Sequence, residues 1–87
     1  MAVKSEETLI GRITHYYSHL GVGIIELHAG ELKVGDAVHF KGAHTDFTQT
    51  VDSMQVDHQD VTRAENGKSV GVKVKDKVRE HDRVFLV

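Results

Sequence analysis

Residues 30–38 read Gly30-Glu31-Leu32-Lys33-Val34-Gly35-Asp36-Ala37-Val38 and carry the strongest structural signal in the chain. Leu32 and Val34 lie two positions apart between glycines, so a short bend can bury both aliphatic side chains while its charged residues stay in water. We expect this bend to plug one end of a barrel. A strand is predicted directly after it, at 37–41, because Val38 and Phe40 alternate there with polar residues.

Short runs in which apolar residues recur at every second position surround this stretch, a pattern typical of β-strands. The predicted strands are 9–16, 22–27, 37–41, 47–58, 69–75 and 83–87. A change of phase near Asp52 and Ser53 indicates a bulge in the longest of them. Six short strands without a helix predict an all-β fold, a small six-stranded antiparallel closed β-barrel, because closure removes exposed strand edges. A small sandwich is the competing architecture.

The second predicted strand, 22–27, is apolar on both faces. Val22 and Ile24 share one face, whereas Ile25 and Leu27 share the other. Two interpretations are open: either both faces of the strand are buried, or a bulge shifts its register.

Length restricts what this chain can be. Its 87 residues are enough for one domain, and so short a chain has little room for an enclosed active-site cavity. Residues 1–8 are polar with little to bury, so we predict a flexible N-terminal leader there and a single β-barrel domain at 9–87.

Composition excludes several classes of protein. The chain has no cysteine, which rules out disulfide bonds, thiolate zinc sites and a cysteine nucleophile. Eleven basic and thirteen acidic residues give a net charge of −2, a weak basis for nonspecific attraction to phosphates. No run approaches the roughly 20 apolar residues of a membrane span, and no signal peptide is recognisable. We therefore expect a cytoplasmic protein with no membrane partner.

Four segments, in order along the chain, resemble the second-domain β-barrel of translation-factor GTPases, of which elongation factor Tu is an example. They are 11–13, 21–27, 30–38 and 64–72, and the positions that define the motif are Gly30, Leu32, Gly35, Asp36, Val38, Gly67 and Gly71. The resemblance implies a stand-alone, noncatalytic module that binds transfer RNA, ribosomal RNA, the ribosome or a translation-related protein.

The end of the chain, 78–84, is similar to the V-x-x-G-D-x-V ending of the same family, with His81 in place of the glycine. A histidine with positive φ would be strained, so we expect a different turn at this point.

Basic residues provide the predicted nucleic-acid contacts. Lys73, Lys75 and Lys77 alternate along one predicted strand and share a face, and Arg79 follows them. Of the adjacent tyrosines, one ring should face inward and one outward, and Tyr16 is assigned to base stacking. The competing interpretation is a solvated face that keeps the barrel soluble.

Other chemistry is sparse. Gly-Lys-Ser at 67–69 lacks the glycine that a phosphate-binding loop needs five positions earlier, so no nucleotide site is predicted. The histidines are scattered, and His39, His44 and His58 are the set that folding could gather around zinc. We predict no catalytic residues, no metal site and no cofactor, and a protein that is not an enzyme.

Similar barrels also occur as accessory domains of other enzymes, including collagenase-like U32 peptidases. The alternative hypothesis is therefore an accessory protein-interaction subunit that docks on a separately encoded enzyme, for example a U32 peptidase-like protein. The negative net charge favours this alternative.

Overall fold

The computed structural model describes residues 7–87, in which ten β-strands and no helix are found. The strands are β1 (Thr8–Tyr17), β2 (Val22–Leu27), β3 (Glu31–Lys33), β4 (Ala37–Lys41), β5 (Asp46–Thr50), β6 (Met54–Val56), β7 (Gln59–Val61), β8 (Arg63–Glu65), β9 (Ser69–Lys73) and β10 (Arg83–Leu86). The predicted all-β class is confirmed. Residues 1–6 of the predicted leader lie outside the described residues, and β1 begins at Thr8.

One curled antiparallel sheet contains eight of the strands, in the order β5-β4-β10-β1-β2-β9-β6-β7, and β3 pairs with β8 in a second, two-stranded sheet. The edge strands β5 and β7 do not pair with each other within residues 7–87. The closed six-stranded barrel predicted from the sequence is therefore wrong, and the curled sheet remains open along one side. No helix in this range could cross a lipid bilayer.

The sheet stays open because the predicted strand 47–58 is interrupted. β5 ends at Thr50, and the chain turns back between β6 and β7 at Asp57 and His58, whose φ angles are 54° and 65°. Positive φ at both central residues defines the tight hairpin turn that matches the twist of paired strands. The hairpin extends the eight-stranded sheet instead of closing it.

Inward-facing side chains of both sheets form one core, which includes Ile13, Ile25, Leu32, Phe40, Val72 and Val84. Leu32 comes from β3 and is fully buried against the larger sheet. Val34 is 40% exposed, so only one of the two aliphatic residues expected to plug the barrel does so. The reason is local: β3 ends at Lys33, and the following turn rotates Val34 outward.

The turn before β4 is held by the residues at its two ends. The backbone N–H of Asp36 donates to the Lys33 carbonyl at 3.0 Å, and the Lys33 N–H donates to the Asp36 carboxylate at 2.9 Å. Gly35, at the third position, has φ of +99°, which favours glycine.

The turn before β10 has the same construction. The Asp82 N–H donates to the Arg79 carbonyl at 3.1 Å, and the Arg79 N–H donates to the Asp82 carboxylate at 2.8 Å. His81 occupies the third position with φ of +76°. The expectation of a different turn is therefore wrong, because this turn has the same hydrogen bonds as the one before β4. His81 adopts the left-handed backbone conformation, in which a non-glycine residue is strained.

The side chain of Gln49 bridges the open side of the sheet between β5 and the end of β9. Its Nε2 donates to the Lys73 carbonyl at 2.8 Å, and its Oε1 accepts from the Lys75 N–H at 2.8 Å. The amide thus makes the pair of hydrogen bonds that a neighbouring strand would make.

Candidate interaction surface

The outer face of β2 is apolar. Ile25 and Leu27 point into the core and are fully buried, whereas Val22 and Ile24 point outward and are half-buried. The register shift suspected in this strand lies instead in β1, between Ile13 and His15. β2 therefore keeps its alternation and presents two aliphatic side chains on the outside of the sheet.

The turn between β1 and β2 extends this apolar surface. Tyr17, which lies opposite Val22, is 48% exposed, and Leu20 in the turn is 63% exposed. We define Tyr17, Leu20, Val22 and Ile24 as the apolar patch. Gly71 of β9 lies beside it, and a Cβ there would meet Val22 and Ile24 at 3.5 and 3.6 Å. Because Gly71 has no side chain, β9 places no side chain directly opposite Ile24.

Polar residues surround the apolar patch. Lys73 pairs with Val22 across β2 and β9, Gln55 pairs with Gly71, and the His15 ring lies 6.2 Å from the Tyr17 ring. An apolar centre with a polar rim is the usual anatomy of a protein–protein interface.

The predicted nucleic-acid contacts are not arranged as expected. β9 ends at Lys73, and Lys75 and Lys77 lie in the non-strand segment that follows. The three lysines therefore do not lie along the face of one strand. Tyr16 is half-buried and packs against the core, and the exposed ring is that of Tyr17. Nucleic-acid binding by Lys73, Lys75, Lys77, Arg79 and Tyr16 stays a prediction.

His39 on β4 lies between two carboxylates on the outer face of the sheet. Its Nε2 is 2.6 Å from Asp46 Oδ1, and its Nδ1 is 2.8 Å from Glu7 Oε2. The hydrogen bond to Asp46, followed by that to Glu7, raises the pKa of His39 against the opposing effect of burial, and the same bond lowers the pKa of Asp46. No metal-binding group of three or more His, Asp or Glu side chains, with His44 and His58 considered, is found among residues 7–87.

These pKa shifts predict how pH changes stability. The folded-state pKa of His39 lies above its ordinary 6.5, so its contribution is complete below pH 6.5 and is lost as the pH rises through the folded-state pKa. The folded-state pKa of Asp46 lies below 3.8, so its contribution is lost only as the pH falls through that lower value.

We therefore expect His39→Gln to reduce the free energy of unfolding more at about pH 5 than at about pH 8.5. Urea unfolding of both proteins at the two pH values measures this difference. An equal loss at both values would contradict the assignment.

Comparison with known proteins gives relatives that are named as a protease and as collagenases. No protein-family model matches the chain. The chain is 41% identical over 87 residues to an uncharacterized protease of Methanocaldococcus jannaschii, a match that covers 99% of this chain and 21% of the protease. It is 33% identical over 81 residues to a collagenase of Porphyromonas gingivalis, covering 92% of this chain and 22% of the collagenase. The chain thus spans about a fifth of the length of these relatives.

Two solved structures of one domain share the fold. They are the C-terminal domain of a Geobacillus thermoleovorans protein described as a U32 peptidase, with a TM-score of 0.84 over 99% of both chains, and its selenomethionine variant, with a TM-score of 0.82 over 87% of this chain and 95% of that one. Both are 20% identical to this chain, a likeness that shows the fold alone.

These findings overturn the predicted membership of the translation-factor barrel family. The motif positions form turns and core contacts: Gly30, Gly35 and Gly67 have positive φ, and Leu32 and Val38 are fully buried. Such positions specify the path of a barrel-like chain and carry no information about its activity.

The prediction that the protein is not an enzyme is also contradicted, because the relatives are named as a protease and as collagenases. Over nearly all of its length, the chain is similar to about a fifth of these proteins, and it has the fold of a U32 peptidase C-terminal domain.

Proposed function

We propose that this chain is the counterpart of a U32 peptidase C-terminal domain and that it docks on the catalytic region of a U32-type peptidase through the apolar patch. The sequence likeness to an archaeal protease and the shared fold with a peptidase domain support the kind of partner. They favour the hypothesis of an accessory protein-interaction subunit of a U32 peptidase-like enzyme over binding to RNA or the ribosome.

One observation carries the choice of surface: β2 is apolar on both faces, and its outward residues Val22 and Ile24 stay partly exposed beside the exposed Tyr17 and Leu20. Strands that are apolar on both faces are usually buried on both. Exposed apolar clusters with a polar rim commonly mark contact surfaces. A second protein surface would complete the burial that this sequence pattern indicates.

The polar rim of the patch suits a contact between domains more than an obligate dimer interface. Inter-domain interfaces are moderate in area and more polar than obligate ones. Tyr17 at the end of β1 and Leu20 in the turn that follows are the most exposed members. They should act as anchors, since a few exposed apolar side chains usually supply most of the binding energy.

Titration of the chain into the catalytic region of a U32 peptidase from the same organism, followed by calorimetry, tests the proposal. We expect Leu20→Ser to weaken binding by about tenfold, because it removes an exposed anchor without touching the core. Leu9→Ser is the matched control: Leu9 is 46% exposed, but it lies at the other end of β1 and pairs with β10.

Circular dichroism and thermal unfolding verify that both variants fold. Unchanged affinity of Leu20→Ser, or equal weakening by Leu9→Ser, would rule out the patch as the docking surface. Absence of any complex would rule out the proposed partner.

A further inference from the structure

Cations lie opposite one another on three neighbouring strands of the outer face. Arg83 of β10 pairs with Arg12 of β1 on one side and with Lys41 of β4 on the other. Like charges directly opposite each other in a sheet are destabilising. The charge of Arg12 is offset by Glu26, whose Oε1 lies 3.5 Å from the Arg12 Nε. Arg83 and Lys41 form no ion pair within residues 7–87. Lys41 also lies opposite Asp46 of β5, whose carboxylate partly offsets its charge, whereas Arg83 has a cation opposite it on both sides.

A cavity of about 370 Å³ opens beside these two cations. Lys41, Arg83 and Phe85 line it together with the loop at 42–44 and the turn at 79–82. Its volume falls at the small end of ligand-binding cavities. The cavity therefore combines positive charge with an aromatic side chain.

Two carboxylates lie near the cavity. The Asp82 carboxylate is buried and accepts the Arg79 N–H, and Glu80 lies 3.8 Å from His15. Neither carboxylate forms an ion pair with Lys41 or Arg83. Positive charge is left available for an anionic ligand.

The strained residue of the turn also lines this cavity. His81 has φ of +76° where the equivalent turn before β4 has glycine. Backbone strain of this kind clusters at functional sites, where the side chain contributes something that glycine cannot. The strain is an observation independent of the cation row, and both belong to one cavity.

We propose that this cavity binds a single carboxylate of a peptide, held by Arg83 and Lys41, with His81 as a further hydrogen-bonding group and Phe85 against the neighbouring residue. Arginine suits such a ligand because its fork of N–H groups matches a carboxylate. The ligand class rests on the proposed function, since peptides are what a peptidase handles.

A single carboxylate fits this chain better than a polyanion. The net charge is −2, and the cavity on the other side of the loop at 42–45 is lined by Asp46 and Asp76 as well as Lys77 and Arg79. A nucleic acid would need a longer row of uncompensated cations.

The test uses the 87-residue chain alone and follows backbone amides by NMR during titration with four probes. Acetyl-Ala-Ala carries a terminal carboxylate, acetyl-glutamate amide carries only a side-chain carboxylate, acetyl-Ala-Ala amide carries neither, and inorganic phosphate is a non-peptide anion. We expect at least one carboxylate probe to shift the amides of 41–44 and 79–83 with a Kd of about 1 mM. The two carboxylate probes distinguish a chain terminus from an acidic side chain.

Arg83→Gln and Lys41→Gln should each weaken the binding by about tenfold, whereas Lys68→Gln, an exposed lysine outside the cavity, should leave it unchanged. His81→Gly should raise the melting temperature by about 4 °C and still weaken binding by about fivefold. A purely structural residue would change the melting temperature alone.

Equal binding of acetyl-Ala-Ala amide, tighter binding of phosphate than of both carboxylate probes, or shifts outside 41–44 and 79–83 would overturn the proposal. Unchanged binding by His81→Gly would remove His81 from the site. Because the apolar patch lies on other strands, failure here would leave the docking proposal standing.

Discussion

Replacing Leu32 with alanine is expected to lower the free energy of unfolding by about 3 kcal/mol. Leu32 is fully buried between the two-stranded sheet and the eight-stranded sheet, and truncating such a leucine loses apolar contacts and leaves a cavity. Chains of this size have total stabilities of roughly 4–13 kcal/mol, so this one change removes a large share. The melting temperature should fall by about 15 °C.

Val34→Ala is the matched control, because Val34 lies two residues away and is 40% exposed. We expect it to change the free energy of unfolding by less than about 0.5 kcal/mol. Urea unfolding of the two variants gives both values. Similar losses in both would mean that the turn after β3 buries Val34 as well.

The second large effect is expected for Gln49→Ala, at about 2 kcal/mol. The Gln49 amide makes hydrogen bonds to the backbones of Lys73 and Lys75, each worth about 1 kcal/mol, and joins β5 to the chain after β9. Its removal leaves both backbone groups to water and detaches the edge strand β5 from the chain after β9, while β5 keeps its pairing with β4. Amide hydrogen exchange of β5 should therefore accelerate in the variant.

Two further variants make this prediction specific. Gln49→Glu keeps the acceptor for the Lys75 N–H but replaces the donor to the Lys73 carbonyl with a second acceptor, so it should also destabilise. Gln55→Ala should cost less than about 0.5 kcal/mol, because Gln55 is exposed and bonds only to the Asp60 side chain in the described residues. Equal stability of Gln49→Ala and the wild type would show that the bridge adds nothing.

The sequence predicted best the strands that lie next to a glycine or alternate regularly between apolar and polar residues. The predictions 22–27 and 37–41 agree with β2 and β4, and 69–75 is two residues longer than β9. The region 47–65 was predicted least well. β7 and β8 are three residues each, with Ala64 their only buried residue, so no alternation marks them.

The sequence also did not predict the hairpin between β6 and β7. Asp57 and His58 both adopt positive φ, although the sequence there contains no glycine to signal a turn. His81 repeats the same difficulty before β10. In each case the surrounding pairs of strands impose a conformation that the local sequence alone does not favour.

The apolar patch and the cavity beside Arg83 differ in how far the sequence alone could predict them. The two apolar faces of 22–27 are visible in the sequence, but they predicted burial of both faces or a register shift and not an exposed apolar patch. The cavity beside Arg83 depends on β4 and β10 being neighbours, and these strands are far apart along the chain. Only the strand order brings Lys41 and Arg83 together.

The position of the first and last strands has a kinetic consequence. β1 and β10 pair with each other within the eight-stranded sheet, and β10 is the strand through which β4 and β5 pair with the rest of it. Until residues 83–86 are available, the sheet consists of two separate pieces. Folding must therefore wait for the most distant pairing along the chain, which makes it slow and concerted compared with a fold built from neighbouring hairpins.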